Sequence, residues 1–267
     1  MVSMTPVSRF LSVATILTLS SPSFGFTMAS LGDSISTAFN ATGYGENIEE
    51  SWATGGSSVI NSHFTRLDAL MGGKVDVYNY AKSGATSDDL QRQVSQVTAY
   101  KPDYATLLIG GNDLCHDYGE TDEELFSRFT KNVEEAIQTL KGANDQVKIL
   151  LVPIPDLYHL YEVSKNERSC RQVWWLTGLC KPLLSARKTP AERDAFKVRL
   201  GGLNQILSDL AAANQSYVRI DSSLAQTRFS LSDISPIDCF HPSQEGQKLL
   251  SELTWTNGWY SNYTSRP

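Results

Sequence analysis

Five short apolar runs recur along the chain, and each ends at or near glycine, proline, serine or aspartate. Most of them are continuously apolar rather than alternating, which is typical of parallel strands that are covered on both faces. The residues that follow each run favour a loop at the carboxyl end of the strand. The predicted strands are residues 27–31, 75–81, 104–109, 147–152 and 217–220.

Segments with the apolar spacing of amphipathic helices lie between these runs. Two of them begin with capping boxes, at 121–124 and 189–192, and Ser243 fits the N-cap of a final helix. Gly142 is expected just beyond the end of the helix that starts near Thr121. The predicted helices are 57–71, 88–100, the stretch from 121 to Gly142, 189–210 and the stretch after Ser243.

Because strands and helices alternate, right-handed crossovers predict a three-layer α/β/α fold with a five-stranded parallel sheet. Ligands of such sheets bind outside the carboxyl ends of the strands. Ser34, Gly84 and Asn112 each follow a different predicted strand. We therefore expect these residues to converge at one edge of the sheet.

The stretch 156–189 has no clear periodicity and contains Tyr158, Tyr161, Trp174 and Trp175. Aperiodic stretches of this length are uncommon in compact domains and are usually functional. We interpret it as a rim or lid over a pocket at that edge of the sheet. The alternative is an ordinary surface loop held by disulfides.

The charge balance argues against nucleic acid as a partner. The formal net charge is -6, and Lys and Arg form no stripe that would neutralise a phosphate backbone. Charged residues make up only 19% of the chain and aromatic residues 10%. Such a surface suits contact with acyl chains or a membrane surface.

The N-terminus predicts export. Arg9 precedes an apolar run of about ten residues and then small residues up to Gly25. This is too short for a membrane span, which needs about 20 apolar residues. We interpret 1–25 as a signal peptide of a secreted or periplasmic protein and 26–267 as one domain. A buried first helix or an uncleaved anchor is the alternative.

In an exported chain the cysteines favour disulfides over a metal site, and no Cys-x-x-Cys spacing occurs. Neither a metal nor a cofactor is expected. The sequence leaves all three pairings of Cys115, Cys170, Cys180 and Cys239 open. A disulfide between Cys170 and Cys180 would close a short loop and leave Cys115 and Cys239. These two would then either form a bridge between two loops or remain as buried thiols.

The chemistry of acyl transfer needs a nucleophile, a base, a carboxylate that orients the base, and donors for an oxyanion. Ser34, in Gly-Asp-Ser, is the candidate nucleophile. His241 is the candidate base, with Asp238 three residues before it. The backbone N–H groups of Ser34 and Gly84 and the side-chain amide of Asn112 are the candidate oxyanion hole.

The other histidines and carboxylates near these motifs need separate interpretation. Asp156 and His159 have the same Asp-x-x-His spacing, which alone does not exclude them. His241 is preferred because it follows the last strand and precedes a capped helix, as the pattern of the family that these motifs resemble requires. His63 lies in a helical stripe and is interpreted as structural, and His116 as part of a solvated loop. Asp33 and Asp113 are expected to hold loops together by hydrogen bonds.

The blocks around Ser34, Gly84, Asn112 and His241 resemble, in this order, the SGNH superfamily of GDSL esterases and lipases. The resemblance implies a flavodoxin-like SGNH hydrolase fold, with Asp238 completing the triad. The segments 110–115 and 238–241 look like the phospholipase B-like branch, which implies cleavage of carboxyl esters of lipids.

The leading hypothesis is an exported serine carboxylic-ester hydrolase that acts on lipid or other small acyl esters. A carbohydrate O-acetyl esterase, an acyltransferase and a non-catalytic binding module remain the alternatives. Three sequons, at Asn40, Asn214 and Asn262, would allow N-glycosylation if the source is eukaryotic.

Overall fold

The computed structural model describes residues 25–116 and 119–263. Its centre is a parallel sheet in the strand order β2-β1-β3-β4-β5. Each strand coincides with one apolar run to within two residues at either end, so the predicted three-layer fold is confirmed. The strands are β1 Phe26–Gly32, β2 Val75–Asn79, β3 Tyr104–Leu108, β4 Lys148–Leu151 and β5 Val218–Ile220.

Ten α-helices lie among the described residues. Short 3₁₀ turns occur at Ile48–Glu50, Ser87–Asp89, Thr98–Tyr100 and Leu231–Asp233. The α-helices are α1 His63–Leu70, α2 Leu90–Val97, α3 Gly111–Cys115, α4 Asp122–Ala143, α5 Leu157–Ser164, α6 Arg168–Thr177, α7 Lys181–Leu184, α8 Pro190–Ala213, α9 Ser223–Gln226 and α10 Gln244–Thr256.

Each face of the sheet packs against its own set of helices because successive strand residues point to opposite faces. On β3, Ala105 and Leu107 join the cluster formed with α2, α4 and α8. Tyr104 and Leu108 join the cluster formed with α1 and α10. Buried apolar contacts on both faces thus hold the strand ends, and the loops that follow them, in fixed positions.

The capped helices begin where the sequence predicts. The side chains of Thr121, Thr189 and Ser243 accept backbone hydrogen bonds from the third residue of α4, α8 and α10. Two ends differ from the prediction. Gly142 lies inside the last turn of α4, which ends at the extended Asn144, and α8 continues three residues beyond 210.

The predicted helix 57–71 is wrong in its first half. Residues 57–61 form a turn, Asn61 has a φ of +51°, and Ser62 caps the helix that follows. Val59, which belonged to the predicted apolar stripe, is 52% exposed. The backbone N–H of His63 donates to Trp52 instead of continuing a helix backwards.

The proposed leader, residues 1–25, lies outside the described residues except for Gly25. Within the described ranges, no helix combines the length and the apolar character needed to cross a bilayer.

His63 is a buried structural histidine, as expected from its position. Its Nδ1 lies 2.8 Å from Tyr104 Oη and its Nε2 lies 2.9 Å from Thr254 Oγ1, which joins α1, β3 and α10. Burial, together with the charge of Arg66, lowers its pKa from 6.5 to about 3.

Acid should therefore weaken the fold through His63. The unfolded chain takes up a proton below the ordinary pKa of 6.5 whereas the native histidine stays neutral down to about 3. In this window the contribution of His63 to the free energy of unfolding is lost at about 1.4 kcal/mol per pH unit as the pH falls. Urea unfolding of His63→Gln should show a destabilisation that shrinks on acidification. The same substitution at the exposed His116 is the control, and a destabilisation by His63→Gln that is constant with pH would contradict the prediction.

Candidate active site

Ser34, His241 and Asp238 form a continuous hydrogen-bonded chain at the carboxyl edge of the sheet. Ser34 Oγ lies 2.8 Å from His241 Nε2, and His241 Nδ1 lies 2.6 Å from Asp238 Oδ2. A carboxylate can only accept, so Nδ1 carries the proton and Nε2 is left as the acceptor for the serine hydroxyl. All three side chains are more than nine-tenths buried.

The loop that carries Asp238 and His241 is tightly turned. Cys239 has a φ of +56°, and Asp238 Oδ1 accepts the backbone N–H groups of Phe240 at 2.9 Å and His241 at 3.0 Å. The His241 ring is flanked by Phe39 and Phe240, with ring centroids 5.1 and 5.2 Å away. The imidazole is therefore fixed on its sides as well as at both nitrogens.

Asp238 stays ionised despite its burial. Burial alone raises the pKa of a carboxyl group, but the hydrogen bonds and charge of His241 together with a hydrogen bond from Asn40 outweigh it. The pKa of Asp238 consequently lies below its ordinary value. An ionised Asp238 is suited to stabilise an imidazolium at His241.

The turn that presents Ser34 depends on close backbone contacts after β1. Gly32 has a φ of +140°, and a Cβ there would lie 2.1 Å from the carbonyl oxygen of Leu108. Gln93 of α2 bridges the same glycine, accepting its N–H and donating to its carbonyl, both at 2.8 Å. Only glycine fits this position, and the buried amide of Gln93 fixes the start of the serine turn.

Asp33 holds this turn by accepting the backbone N–H of Ile35 at 2.9 Å. Its side chain is buried, and desolvation raises its pKa from 3.8 to about 7 against the opposing effects of the Ile35 hydrogen bond and the charge of His241. The hydrogen bond from Ile35 agrees with the expected role of Asp33, which is to hold the loop together.

The candidate oxyanion donors lie on three loops of the same edge. Among the residues described, no protein acceptor pairs with the backbone N–H of Ser34 or of Gly84, so both are open to a ligand oxygen. Asn112 Nδ2 donates to the Ala85 carbonyl at 2.9 Å, which sets the side chain of Asn112 beside the Gly84 loop. Gly84 has a φ of +82° and open space at its Cβ position, so backbone conformation is the reason for glycine there.

Asp113 joins the Asn112 loop to the loop after β2, as expected. It accepts the backbone N–H of Ser87 at 2.9 Å and the hydroxyl of Ser87 at 2.6 Å. Arg128 of α4 donates to Asp113 at 2.8 Å and to Glu120 at 2.7 Å. Two loops that carry candidate oxyanion donors are thereby fixed to each other and to α4.

The alternative Asp-x-x-His pair is a structural feature outside this chain of hydrogen bonds. Asp156 caps α5 by accepting the N–H of His159 and forms an ion pair with Arg228 at 2.6 Å. His159 Nε2 lies 3.1 Å from the carbonyl oxygen of Phe229. His116 is exposed on its loop, with Nδ1 2.9 Å from the Asn112 carbonyl.

The stretch 156–189 is helical and not an irregular loop, since it contains α5, α6 and α7. The disulfides join Cys115 to Cys180 and Cys170 to Cys239, so the short Cys170–Cys180 loop does not form. One bridge ties α7 to α3, and the other ties α6 to the loop of Asp238 and His241. Both loops of the site are thus attached to the same helical segment.

Asn40 belongs to the candidate site, although the sequence indicates only a glycosylation sequon there. It has a φ of +58° and is buried, and its Nδ2 donates to Asp238 Oδ2 at 2.6 Å. A glycan on Asn40 is incompatible with this contact, whereas Asn262 is exposed. The sequence carried two signals of this role. Asn40 follows Ser34 after only a short stretch of chain, and asparagine is a residue type that accepts a positive φ.

Removing the amide of Asn40 should impair the orientation of Asp238. Asn40→Gly keeps the left-handed backbone and loses a hydrogen bond to a charged group, which should lower kcat by roughly 10- to 100-fold. Because that bond stabilises the ionised carboxyl, its loss raises the pKa of Asp238, and the deficit should grow toward acidic pH. The measurement is a pH profile of kcat for a soluble ester.

The control for this test is Asn47→Ala. Asn47 Oδ1 accepts the N–H groups of Thr42 and Gly43 in the same loop without touching Asp238. A deficit of Asn40→Gly that is the same at every pH would mean that Asn40 only supports the loop.

Comparison with known proteins gives a family and a fold. A model of the GDSL-like lipase/acylhydrolase family matches residues 30–249. The membrane-associated phospholipase B1 of Homo sapiens is 22% identical over an alignment 273 positions long, which covers 86% of this chain and 18% of the phospholipase. This chain therefore spans about a fifth of the length of that relative.

Two solved structures share the fold. The lipase/acylhydrolase from Enterococcus faecalis has a TM-score of 0.54 and 20% identity, covering 85% of this chain and 92% of its own. The acetylxylan esterase Axe2 from Geobacillus stearothermophilus has a TM-score of 0.56 and 17% identity, covering 91% and 97%.

Proposed function

The chain belongs to the GDSL-like lipase/acylhydrolase family, and from this premise we propose that it is an ester hydrolase that cleaves carboxylic esters through an acyl-enzyme on Ser34. The observation that carries the proposal is the hydrogen-bonded chain from Ser34 Oγ through His241 to Asp238, at 2.8 and 2.6 Å.

In the acylation step, Ser34 Oγ attacks the ester carbonyl carbon while its proton passes to His241 Nε2. Asp238 stabilises the imidazolium that forms. The carbonyl oxygen becomes an oxyanion and is bound by the N–H groups of Ser34 and Gly84 and by the amide of Asn112. When the tetrahedral intermediate collapses, the alcohol leaves with the proton from His241, and the acyl group remains on Ser34.

Deacylation repeats the same proton transfers with water as the nucleophile. Water attacks the acyl carbon as His241 takes one of its protons, and the acid then leaves as Ser34 Oγ recovers that proton. An alcohol that replaces this water would receive the acyl group, so acyl transfer needs no other change in the residues.

We further propose that residues 1–25 direct export and that 26–267 is the secreted or periplasmic hydrolase domain. The two disulfides support this proposal, because such bonds form and persist in oxidising compartments.

A short-chain esterase is the second candidate. An apolar cleft beside the triad is lined by Ile35, which follows Ser34, by Phe240 and Pro242, which flank His241, and by Leu157 of α5. Its volume of about 20 Å³ is roughly the space of one water molecule. Any acyl group requires this cleft to open, and the opening needed is smallest for a short group such as acetyl.

A fluorophosphonate probe tests the proposal, because it forms a covalent bond only with an activated serine. Mass spectrometry should locate the adduct on Ser34. Ser34→Ala should abolish labelling, whereas Ser95→Ala, which removes an exposed hydroxyl on α2, should not. Labelling that persists in Ser34→Ala would refute the assignment of the nucleophile, and a panel of acetyl to long-chain esters then separates the two candidate substrate classes.

A further inference from the structure

A cationic cleft lies next to the loop of Asp238 and His241, between α5, α6, α7 and the start of α8. Its volume is about 750 Å³, within the usual range of ligand pockets. One of its walls is Trp174, whose Nε1 donates to the carbonyl of Cys239 at 3.2 Å, and Cys239 is bonded to Cys170 of α6. The cationic cleft thus shares a wall with the loop that holds Asp238 and His241. Its lining residues include Lys165, Arg171, Lys181, Arg187 and Arg193 together with Tyr161, Trp174 and Trp175.

No carboxylate lines this cleft, although the chain as a whole has a net charge of -6. Lys165 is paired with Glu162 at 2.8 Å. The buried Arg193 uses its guanidinium on the carbonyls of Leu183, Ser185 and Lys188. An excess of positive charge therefore remains on the other three cations.

These three are Arg171, which also donates to the carbonyl of Lys165 at 2.9 Å, Lys181 and Arg187. Within the described part of the chain they form no ion pair with a carboxylate. A concave surface with unpaired cations and no acid attracts an anionic ligand.

Large apolar side chains stand beside these cations. Trp175 is 81% exposed and Leu176 is 72% exposed, next to each other on α6. Arg168, Arg171 and Trp175 follow one another at helical spacing, so they lie on one exposed face. Exposed Trp and Leu among cations are typical of helices that lie at the boundary between lipid headgroups and acyl chains.

We propose that the cationic cleft and the exposed face of α6 bind the surface of a membrane that contains anionic phospholipid. The cations contact the phosphate groups, and Trp175 and Leu176 enter the headgroup boundary. Leu176 favours lipid over an acidic polysaccharide, because an aliphatic side chain offers no flat surface on which a sugar ring can stack. The inference goes beyond the proposed hydrolysis, since binding does not require turnover.

Docking in this way would turn the site toward its substrate. The helical segment is bonded to the loops of Asn112 and His241 through both disulfides, and these loops lie at the carboxyl edge of the sheet. Binding through α6 would therefore hold the edge that carries Ser34 close to the lipid.

The experiment measures flotation with phosphatidylcholine vesicles, with and without phosphatidylglycerol, in the Ser34→Ala background so that lipid is not consumed. Binding should require phosphatidylglycerol and weaken with salt. Each cation near an anionic surface changes binding by about fivefold, so Arg171→Gln, Lys181→Gln and Arg187→Gln together should weaken it about 10²-fold. The matched control, Lys74→Gln with Lys131→Gln and Lys248→Gln, makes the same charge change on exposed sites elsewhere.

Trp175→Ala with Leu176→Ala should also weaken vesicle binding. The same double variant with Ser34 intact should hydrolyse a soluble ester at an unchanged rate, which shows that it is folded. Three results would each overturn the proposal. These are an equal loss of vesicle binding in both triple variants, no binding to either kind of vesicle, and binding to polygalacturonate without binding to vesicles. A failure of the Ser34 assignment would leave these binding results as they are, so the two failures are distinguishable.

Discussion

Ser34→Ala should lower kcat for a soluble ester by about 10⁴- to 10⁶-fold, and His241→Ala should lower it by a similar factor. The two side chains act on one proton across a 2.8 Å contact. Loss of either one therefore removes the whole nucleophilic route, and the double variant should be scarcely slower than the single ones. Neither change should shift the denaturation midpoint by more than a few degrees, because both residues lie outside the two apolar core clusters.

The measurement is steady-state kinetics with active-site titration, which excludes contamination by unmodified enzyme. His159→Ala is the matched control for His241, since it removes an imidazole preceded by aspartate at the same spacing but bonded to Phe229. Losses that multiply in the Ser34 and His241 double variant would show that the two groups act in separate steps.

Removing the Cys170–Cys239 bridge should cause the largest change in stability. It closes a loop with a sequence separation of 69 residues. For a loop of this length, chain entropy adds about 4 kcal/mol to the free energy of unfolding, and removal of a native disulfide typically costs roughly 2–5 kcal/mol. Cys170→Ala with Cys239→Ala should therefore lower Tm by roughly 10 °C. It should also lower kcat, because Cys239 lies between Asp238 and His241.

Cys115→Ala with Cys180→Ala provides the comparison. The separation of 65 residues is nearly the same, so the loss of stability should be similar. Its effect on kcat should instead come from the Asn112 side, so the shape of the pH profile of kcat should not change. Calorimetry and pH profiles of both pairs test this, and an unchanged Tm in both would mean that the bridges do not form in the protein.

Those parts of the fold that depend on residues close together in the sequence were predictable from it. The apolar runs gave all five strands, and the side chains of Thr121, Thr189 and Ser243 gave three helix starts, because a cap bonds only three residues ahead. The approach of Ser34 to His241 could be anticipated too, since the carboxyl ends of parallel strands share one edge.

Features set by distant contacts were not predictable. Residues 57–61 have the apolar pattern of a helix, but Trp52 and Ala53 accept the N–H groups of His63 and Phe64, and Asn61 turns the chain. The disulfide pairing depends on how α6 and α7 lie against α3 and the loop of Cys239, which no local pattern specifies. The helices of 156–189 are each ten residues or fewer, too short to display a clear period.

The burial of Asn40 has a consequence for making this protein. In a eukaryotic secretory host, oligosaccharide is attached to Asn-x-Thr sites as the chain enters the lumen, before the side chain is enclosed. A molecule that receives a sugar at Asn40 cannot then place the amide against Asp238, so it is diverted from the native state. Thr42→Ala abolishes the acceptor motif while leaving Asn40 itself intact, and should raise the yield of active enzyme from such a host.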